Sequence, residues 1–313
     1  MITPIIHHVS AINRDAEKSY AFYNGVLGLN LHFKTVNQDD TEMYHLFFSD
    51  EKGRPGTEFT LFEMKSGVDR EFGTNAIDCT VFAVPSKESL GFWEARLNER
   101  GYFNCEIEDY NDSHILHFED PDGVQLALVP VETTEQTYGM ESEAIPLEHA
   151  IFGIHSVHLR VRYAKATEAV LTEYFNLNVS KHFENRTVLS KPHTLFNQEI
   201  HLIEDKDSPL EVMGSGGTHH IALSVTDDAA LTKIDEKVQA RNFLNSGIKD
   251  REFFKSTYFR EADGILLEVA TNEGQLPKRT QAKTFAEYPL SLPTFLEPRR
   301  ESIEAYLTRQ NHY

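Results

Sequence analysis

Two runs of adjacent histidines, Ile6-His7-His8-Val9-Ser10 and Thr218-His219-His220-Ile221-Ala222, mark this chain, together with a carboxylate in Gly264-Ile265-Leu266-Leu267-Glu268-Val269. Each is a short apolar stretch interrupted by groups that bind transition metals. Two imidazoles and one carboxylate are the usual protein set for a non-haem Fe(II) centre that keeps coordination positions open. The combination points to oxygen or quinol chemistry.

These residues need elements that hold them together, and internal similarity shows what those elements are. Four segments share one plan, opening on short apolar strands at Ile6 to Ile12, Ala76 to Val84, Gly153 to Val161 and Thr218 to Thr226. Helical stretches follow: Tyr20 to Leu29 and Leu171 to Val179 in the first and third, Lys87 to Arg100 and Ala229 to Arg241 in the second and fourth. Gly101 and Asn242 are the turn-prone residues that close the last two. Every unit then reads as strands, and two end on nearly the same phrase, Asp122-Gly123-Val124-Gln125-Leu126-Ala127 and Asp263-Gly264-Ile265-Leu266-Leu267-Glu268. Asp-Gly supplies a tight turn and the alternating apolar residues after it suit a final hairpin strand, so each unit is βαβββ. One such sheet cannot bury both faces alone. The expected class is therefore α+β, with four modules paired into two curved-sheet cups. Modules one and two span 1–130, a linker rich in Glu and Thr 131–149, modules three and four 150–272, and a Pro-rich tail with a helix from Pro298 to Arg309 occupies 273–313.

Composition is that of a globular protein. At 313 residues, with 40% hydrophobic and 25% charged residues, the chain can bury a sizeable core and has no apolar run fit to span a bilayer. A net charge of −19 argues against nucleic-acid partners, which need a basic face. Two cysteines, Cys79 and Cys105, are too few for a disulfide framework, and the N-terminus lacks a signal-peptide pattern, so a cytoplasmic location is expected.

Aligning the unit starts puts His8, His220 and Ser156 at one equivalent position, with Cys79 or Asp78 opposite in the second unit. Aligning the Asp-Gly endings puts Glu268 against Ala127. Only units one and four carry ligand-type residues there, which predicts one metal site where those two units meet and a metal-free second cup. Strand alternation directs His8 and Ser10 to one face and His7 and Val9 to the other, and likewise separates His220 from His219. His155 and His158 flank Ser156, so a one-residue shift would bring either into the ligand position. His32, His45, His114, His117, His149, His182, His193 and His201 read as surface, core or pocket residues.

The βαβββ repeat, the Asp-Gly-hydrophobic-Glu ending and the His-hydrophobic start resemble the vicinal oxygen chelate superfamily of glyoxalases, bleomycin and fosfomycin resistance proteins and extradiol dioxygenases. Val36-Asn37-Gln38-Asp39-Asp40, Tyr44-His45-Leu46, Gly53-Arg54-Pro55-Gly56-Thr57, the paired histidines and Leu296-Glu297-Pro298-Arg299-Arg300 narrow the resemblance to its hydroquinone ring-cleaving branch. That branch draws one metal histidine from the first unit. The resemblance implies His8, His220 and Glu268 as ligands of Fe(II), with Mn(II) or another divalent ion as alternative occupant, and O2-dependent opening of a substituted hydroquinone or related aromatic diol. It further implies His219, Arg251, Tyr258 and Ser10 as catalytic groups, with His7 a weaker one, and leaves a homo-oligomer open. Arg251 has an alternative reading as the ion-pair partner of Asp250 or Glu252, and Tyr258 as a core ring. Two rivals share the scaffold: a glyoxalase-type isomerase or lyase, which needs a further carboxylate where Thr60 is the nearest match to Glu268, and a metal-free small-molecule binding protein.

Overall fold

The computed structural model describes residues 3–103, 105–111, 113–132, 142, 144–274, 276–280 and 282–310. Four units follow one another. Unit one holds β1 (Ile6–Asn13), α1 (Ala16–Tyr20), β2 (Asn30–Val36), β3 (Tyr44–Ser49) and β4 (Glu58–Glu63). Unit two holds β5 (Ala76–Val84), α2 (Lys87–Glu99), β6 (Ile107–Tyr110), β7 (Ser113–Glu119) and β8 (Gln125–Pro130). In unit three come β9 (Gly153–Val161), α3 (Ala164–Phe175), β10 (Asn178–His182), β11 (Arg186–Ser190) and β12 (Glu199–Glu204). Unit four has β13 (Gly217–Val225), α4 (Asp228–Ala240), β14 (Lys249–Asp250), β15 (Lys255–Arg260) and β16 (Leu266–Thr271), and the tail ends in α5 (Arg300–Gln310).

The two eight-stranded sheets do not follow the order of the units. One runs β14-β15-β16-β13-β1-β4-β3-β2 and joins units four and one; the other runs β10-β11-β12-β9-β5-β8-β7-β6 and joins units three and two. Each sheet is the paired cup expected from the βαβββ repeat. The opening strands meet antiparallel at its centre, β1 on β13 and β5 on β9. The core lies on the faces opposite the two cups, where Phe59 of β4 meets Phe82 of β5 at 5.5 Å between ring centres and Tyr23 stacks on Phe59. The Asp-Gly turns form as the phrase demands, with Gly123 and Gly264 at φ +95° and +85°. Asp120 caps the first turn by accepting from the Val124 N–H, and Glu261 caps the other by accepting from the Ile265 N–H.

Several helices differ from the sequence pattern. The first ends at Tyr20 and continues as one wide turn over Ala21–Val26. The third starts at Ala164 and stops where Asn176 turns left-handed at φ 55°, so Asn178 and Val179 open a strand. Of the linker 131–149, residues 133–141 and 143 lie outside the described residues, as do 311–313 of the tail. No helix among the described residues is long and apolar enough to cross a membrane.

Candidate metal centre

Register at the centre of the first cup decides which side chains meet. In the β1–β13 ladder His8 faces Ala222 and Ser10 faces His220, a two-fold arrangement. Parallel partners extend it: Ser10 pairs with Thr60 on β4, and Ala222 with Glu268 on β16. Thr60 therefore stands where two-fold symmetry would put a second Glu268. In the second cup the same ladder places Ser156, Cys79, Ala127 and His201 at the positions of His8, His220, Glu268 and Thr60. Among the described residues no candidate metal-ligand trio lies in this cup: Val81, Ala83, Ile115, Ala127 and Phe152 pack together there, and Tyr110 bonds both His158 and His201. His155 lies half-buried beside them, at the bulge of β9, displaced from the ligand position.

One expectation changes. Strict alternation would send His7 and His219 away from His8 and His220, but each is the extra residue of a β-bulge, at Ile6/His8 on β1 and opposite Ser10/Ala11 on β13. The bulges bring neighbouring rings into contact. His7 Nδ1 lies 3.0 Å from His8 Nδ1, and His219 Nδ1 lies 2.7 Å from His220 Nδ1. A neutral imidazole has one donor and one acceptor, so for His8 to present its Nε2 lone pair to a cation its proton must sit on Nδ1, with His7 Nδ1 as the acceptor. The His8 Nε2 lone pair is then left aimed into the cup.

There, His8 Nε2 is 3.3 Å from His220 Nε2, and the two nitrogens lie 2.9 and 3.0 Å from Glu268 Oε2. All three side chains are essentially inaccessible to solvent. The carboxylate contacts have ion-pair distance without hydrogen-bond alignment, and both Glu268 oxygens lack a hydrogen-bond partner. Burial opposes ionisation of Glu268, yet the two imidazoles outweigh it and hold the carboxyl well below the usual glutamate range. Burial pushes His220 down against the pull of Glu268, and pushes His7 and His219 down to about 3, each helped by the imidazole beside it. Three lone pairs thus converge on one buried point, an arrangement that calls for a cation to neutralise it. The donor set fits a divalent transition metal.

Around the trio the structure gathers the remaining expected groups. Ser10 Oγ is 3.0 Å from His220 Nε2 and 2.6 Å from Thr60 Oγ1, and His45 Nε2 is 2.9 Å from the same Thr60 oxygen. A cavity of about 280 Å³ opens on His8 and His220, bounded by Phe47, Phe62, Phe253 and Phe254 and rimmed by Asn37, Gln38, Asp39 and Arg251. Tyr258 stands edge-on to His220 at 5.2 Å, and its phenol is raised well above 10 by burial first and the Glu268 charge second. Arg251 lies over the Tyr258 ring and pairs across the cavity mouth with Asp39 at 3.1 Å, in place of Asp250 or Glu252. Both alternative readings of these residues thus give way to positions on the cavity wall.

Sequence reasoning left out several neighbours. His45, sandwiched between Phe47 and Phe62, reads in the sequence without a role, as a surface, core or pocket residue and as part of Tyr44-His45-Leu46. Glu58, a first-unit carboxylate that does not align with Glu268 in the repeat, faces His8 in the β1–β4 ladder, its carboxyl 4.0 Å from His7 Nδ1, and burial raises it well above the usual range.

The glyoxalase/bleomycin resistance protein/dioxygenase superfamily description matches residues 5–128. A Bacillus subtilis protein named "Putative ring-cleaving dioxygenase MhqA" is 38% identical over 96% of this chain and 97% of its own. The chain belongs to this superfamily. Among other superfamily relatives, the chlorohydroquinone/hydroquinone 1,2-dioxygenase of Sphingobium indicum is 24% identical over 97% of the chain and 94% of its own length. The crystal structure of a "putative dioxygenase" from Bacillus subtilis superposes with a TM-score of 0.87 at 30% identity, covering 98% of this chain and 97% of that one. Glyoxalase I from Zea mays shares the superfamily fold, with a TM-score of 0.61 at 13% identity over 85% of this chain and 92% of its own.

Proposed function

We propose that the protein is an Fe(II)-dependent ring-cleaving dioxygenase that opens a substituted hydroquinone with O2. The observation that carries this reading is the convergence of His8 Nε2, His220 Nε2 and an orphaned Glu268 carboxylate at the floor of a cavity walled by four phenylalanines. The names of the full-length relatives, one of them a hydroquinone 1,2-dioxygenase, support it. When bound, Fe(II) supplies the one-electron chemistry that lets O2 react with an aromatic diol, which a redox-inert ion such as zinc would not. With a redox-inert ion the same three ligands would leave only Lewis-acid chemistry.

The chain's own residues do the rest. His7 and His219 hold the two ligand rings through their Nδ1 atoms, as partners of metal-bound histidines do elsewhere. With Nδ1 accepting from His220, His219 keeps its proton on Nε2, and as a residue lining the cavity it can serve as a donor for a developing oxyanion. Ser10 and Thr60 form a hydroxyl chain that ends on His45 and can hold or pass a proton beside the site. Tyr258, neutral at ordinary pH, is a donor, and Arg251 supplies fixed positive charge. The phenylalanines exclude water and stack against the ring. A para-diol cannot chelate one ion through both oxygens, so its second hydroxyl must be oriented by rim groups such as Asn37, Gln38 or Arg251.

Thr60 in the place of a second glutamate weighs against proton-shuttling isomerase chemistry, and the intact trio weighs against a metal-free binding protein. The same reading treats 1–130 and 150–272 as duplicated halves, each giving one unit to each sheet. The testing experiment is oxygen uptake by Fe(II)-loaded protein with 2-methylhydroquinone and with catechol, followed by ultraviolet spectra. Uptake with the hydroquinone and little with catechol is expected; the reverse would place the enzyme with catechol-cleaving relatives.

A further inference from the structure

The cavity wall that carries Arg251, Phe253 and Phe254 is a single turn after β14, closed by the Arg251 N–H donating to the Phe254 carbonyl over 2.9 Å. Glu252 sits in that turn without lining the cavity, and its backbone has φ +70°. Glycine takes this angle freely and asparagine tolerably; a glutamate there persists only when its surroundings hold it.

The C-terminal segment is what holds it. Glu252 Oε2 accepts from the Thr294 backbone N–H at 2.6 Å, and Oε1 from the Thr294 hydroxyl at 2.8 Å. The Asp250 carboxylate accepts the Glu252 N–H at 2.8 Å. Thr294 is anchored in turn, because Leu292 and Leu296 beside it are buried against Val36 of β2 with Ile303 and Leu307 of α5, and the Ser291 N–H donates to the Lys34 carbonyl. Farther along, Arg299 donates to Thr41 at 3.1 Å. Thr41 follows the stretch in which Gln38 donates to the Arg251 carbonyl and Asp39 pairs with its guanidinium. Three segments remote in sequence thus close a ring of contacts around the mouth of the cavity.

We propose that Glu252 is a positioning residue: through Thr294 it uses the C-terminal segment to fix Arg251, Phe253 and Phe254 against the aromatic ring of the substrate. This rests on the reading of the cavity as an aromatic-diol site. Isolated exposed hydrogen bonds contribute little, but this pair joins a strained turn to a segment fixed by a buried apolar cluster. Because Glu252 touches no reacting atom, its loss should weaken binding more than the chemical step.

The test uses Glu252→Gly, which keeps the left-handed backbone while removing the carboxylate, with Thr294→Val and the conservative Thr294→Ser. Two readouts are taken: hydrogen exchange of amides 250–255 in the metal-free protein, and kcat and KM of the Fe(II)-loaded protein with 2-methylhydroquinone. Glu252→Gly and Thr294→Val should exchange faster in that segment and raise KM about five- to thirtyfold, the effect of one to two ordinary hydrogen bonds, with kcat within about twofold. Thr294→Ser should match the parent protein. Unchanged exchange in Glu252→Gly, or faster exchange with unchanged KM, would overturn the proposal. If exchange responds as stated but the parent protein turns over no diol, the positioning link stands and the substrate reading fails.

Discussion

Replacing His7 with phenylalanine tests how a buried imidazole pair prepares a metal ligand. Phenylalanine roughly preserves the ring but offers no acceptor to His8 Nδ1, which now has one at 3.0 Å in a pocket where both histidines are 2% exposed. In the metal-free variant His8 can move its proton to Nε2 and donate to Glu268, at little cost. Binding a cation requires the Nε2 lone pair, which returns the proton to a buried Nδ1 with no partner. An unsatisfied buried donor costs about 1–3 kcal/mol, so affinity should fall by about 5- to 150-fold. At metal concentrations about a thousandfold above the parent Kd, binding stabilises the parent by about 4.1 kcal/mol, or about 8 °C in Tm at roughly 2 °C per kcal/mol for a chain of this size. The variant should retain about 1–3 kcal/mol of that, a rise of about 2–6 °C. Scanning calorimetry with and without Fe(II) under anaerobic conditions reads both numbers. A full parental increment in His7→Phe would refute the tautomer argument, and so would a complete loss, since the three ligands remain.

His8→Ala, His220→Ala and Glu268→Ala should each lose most bound iron in elemental analysis while keeping the far-ultraviolet dichroism of the parent, because the core lies on the opposite sheet faces; retention of metal in all three would show the ligand set to be wrong. Tyr258→Phe and Arg251→Ala should keep iron and lose turnover, since neither is a ligand, and loss of metal in both would contradict that placement. Glu58 gives a pH signature: burial raises its carboxyl in the folded protein above the ordinary glutamate value, so its neutral form is stabilising below that value and the benefit is lost as pH rises through the folded pKa. Glu58→Gln should therefore raise the Tm of metal-free protein more at pH 8.5 than at pH 5, and an equal effect at both would be the contrary result.

The repeat made most of the architecture legible, because strand openings and Asp-Gly endings carry local signals that survive without contacts. Aligning them matched Ser156 with His8 and Ala127 with Glu268, as the ladders of the two sheets do. Alternation misled at His7 and His219 because a bulge is set by the partner strand and leaves no trace in a run of two histidines. The cavity walls were hidden for a similar reason: Phe253 and Phe254 come from unit four and Phe47 and Phe62 from unit one, and only the pairing of β1 with β13 makes them neighbours. The role of the tail was also out of reach, since the partner of Thr294 lies 42 residues away in sequence.

A ring-cleaving dioxygenase consumes one O2 for each aromatic diol it opens. Anaerobically prepared, Fe(II)-loaded protein should be mixed with 2-methylhydroquinone and 18O2, and the product weighed by mass spectrometry against oxygen consumed. One O2 per diol and a ring-opened product carrying label from O2 are predicted. Diol consumed without oxygen uptake, or oxygen consumed only to give unlabelled quinone, would contradict ring cleavage at the His8, His220 and Glu268 centre.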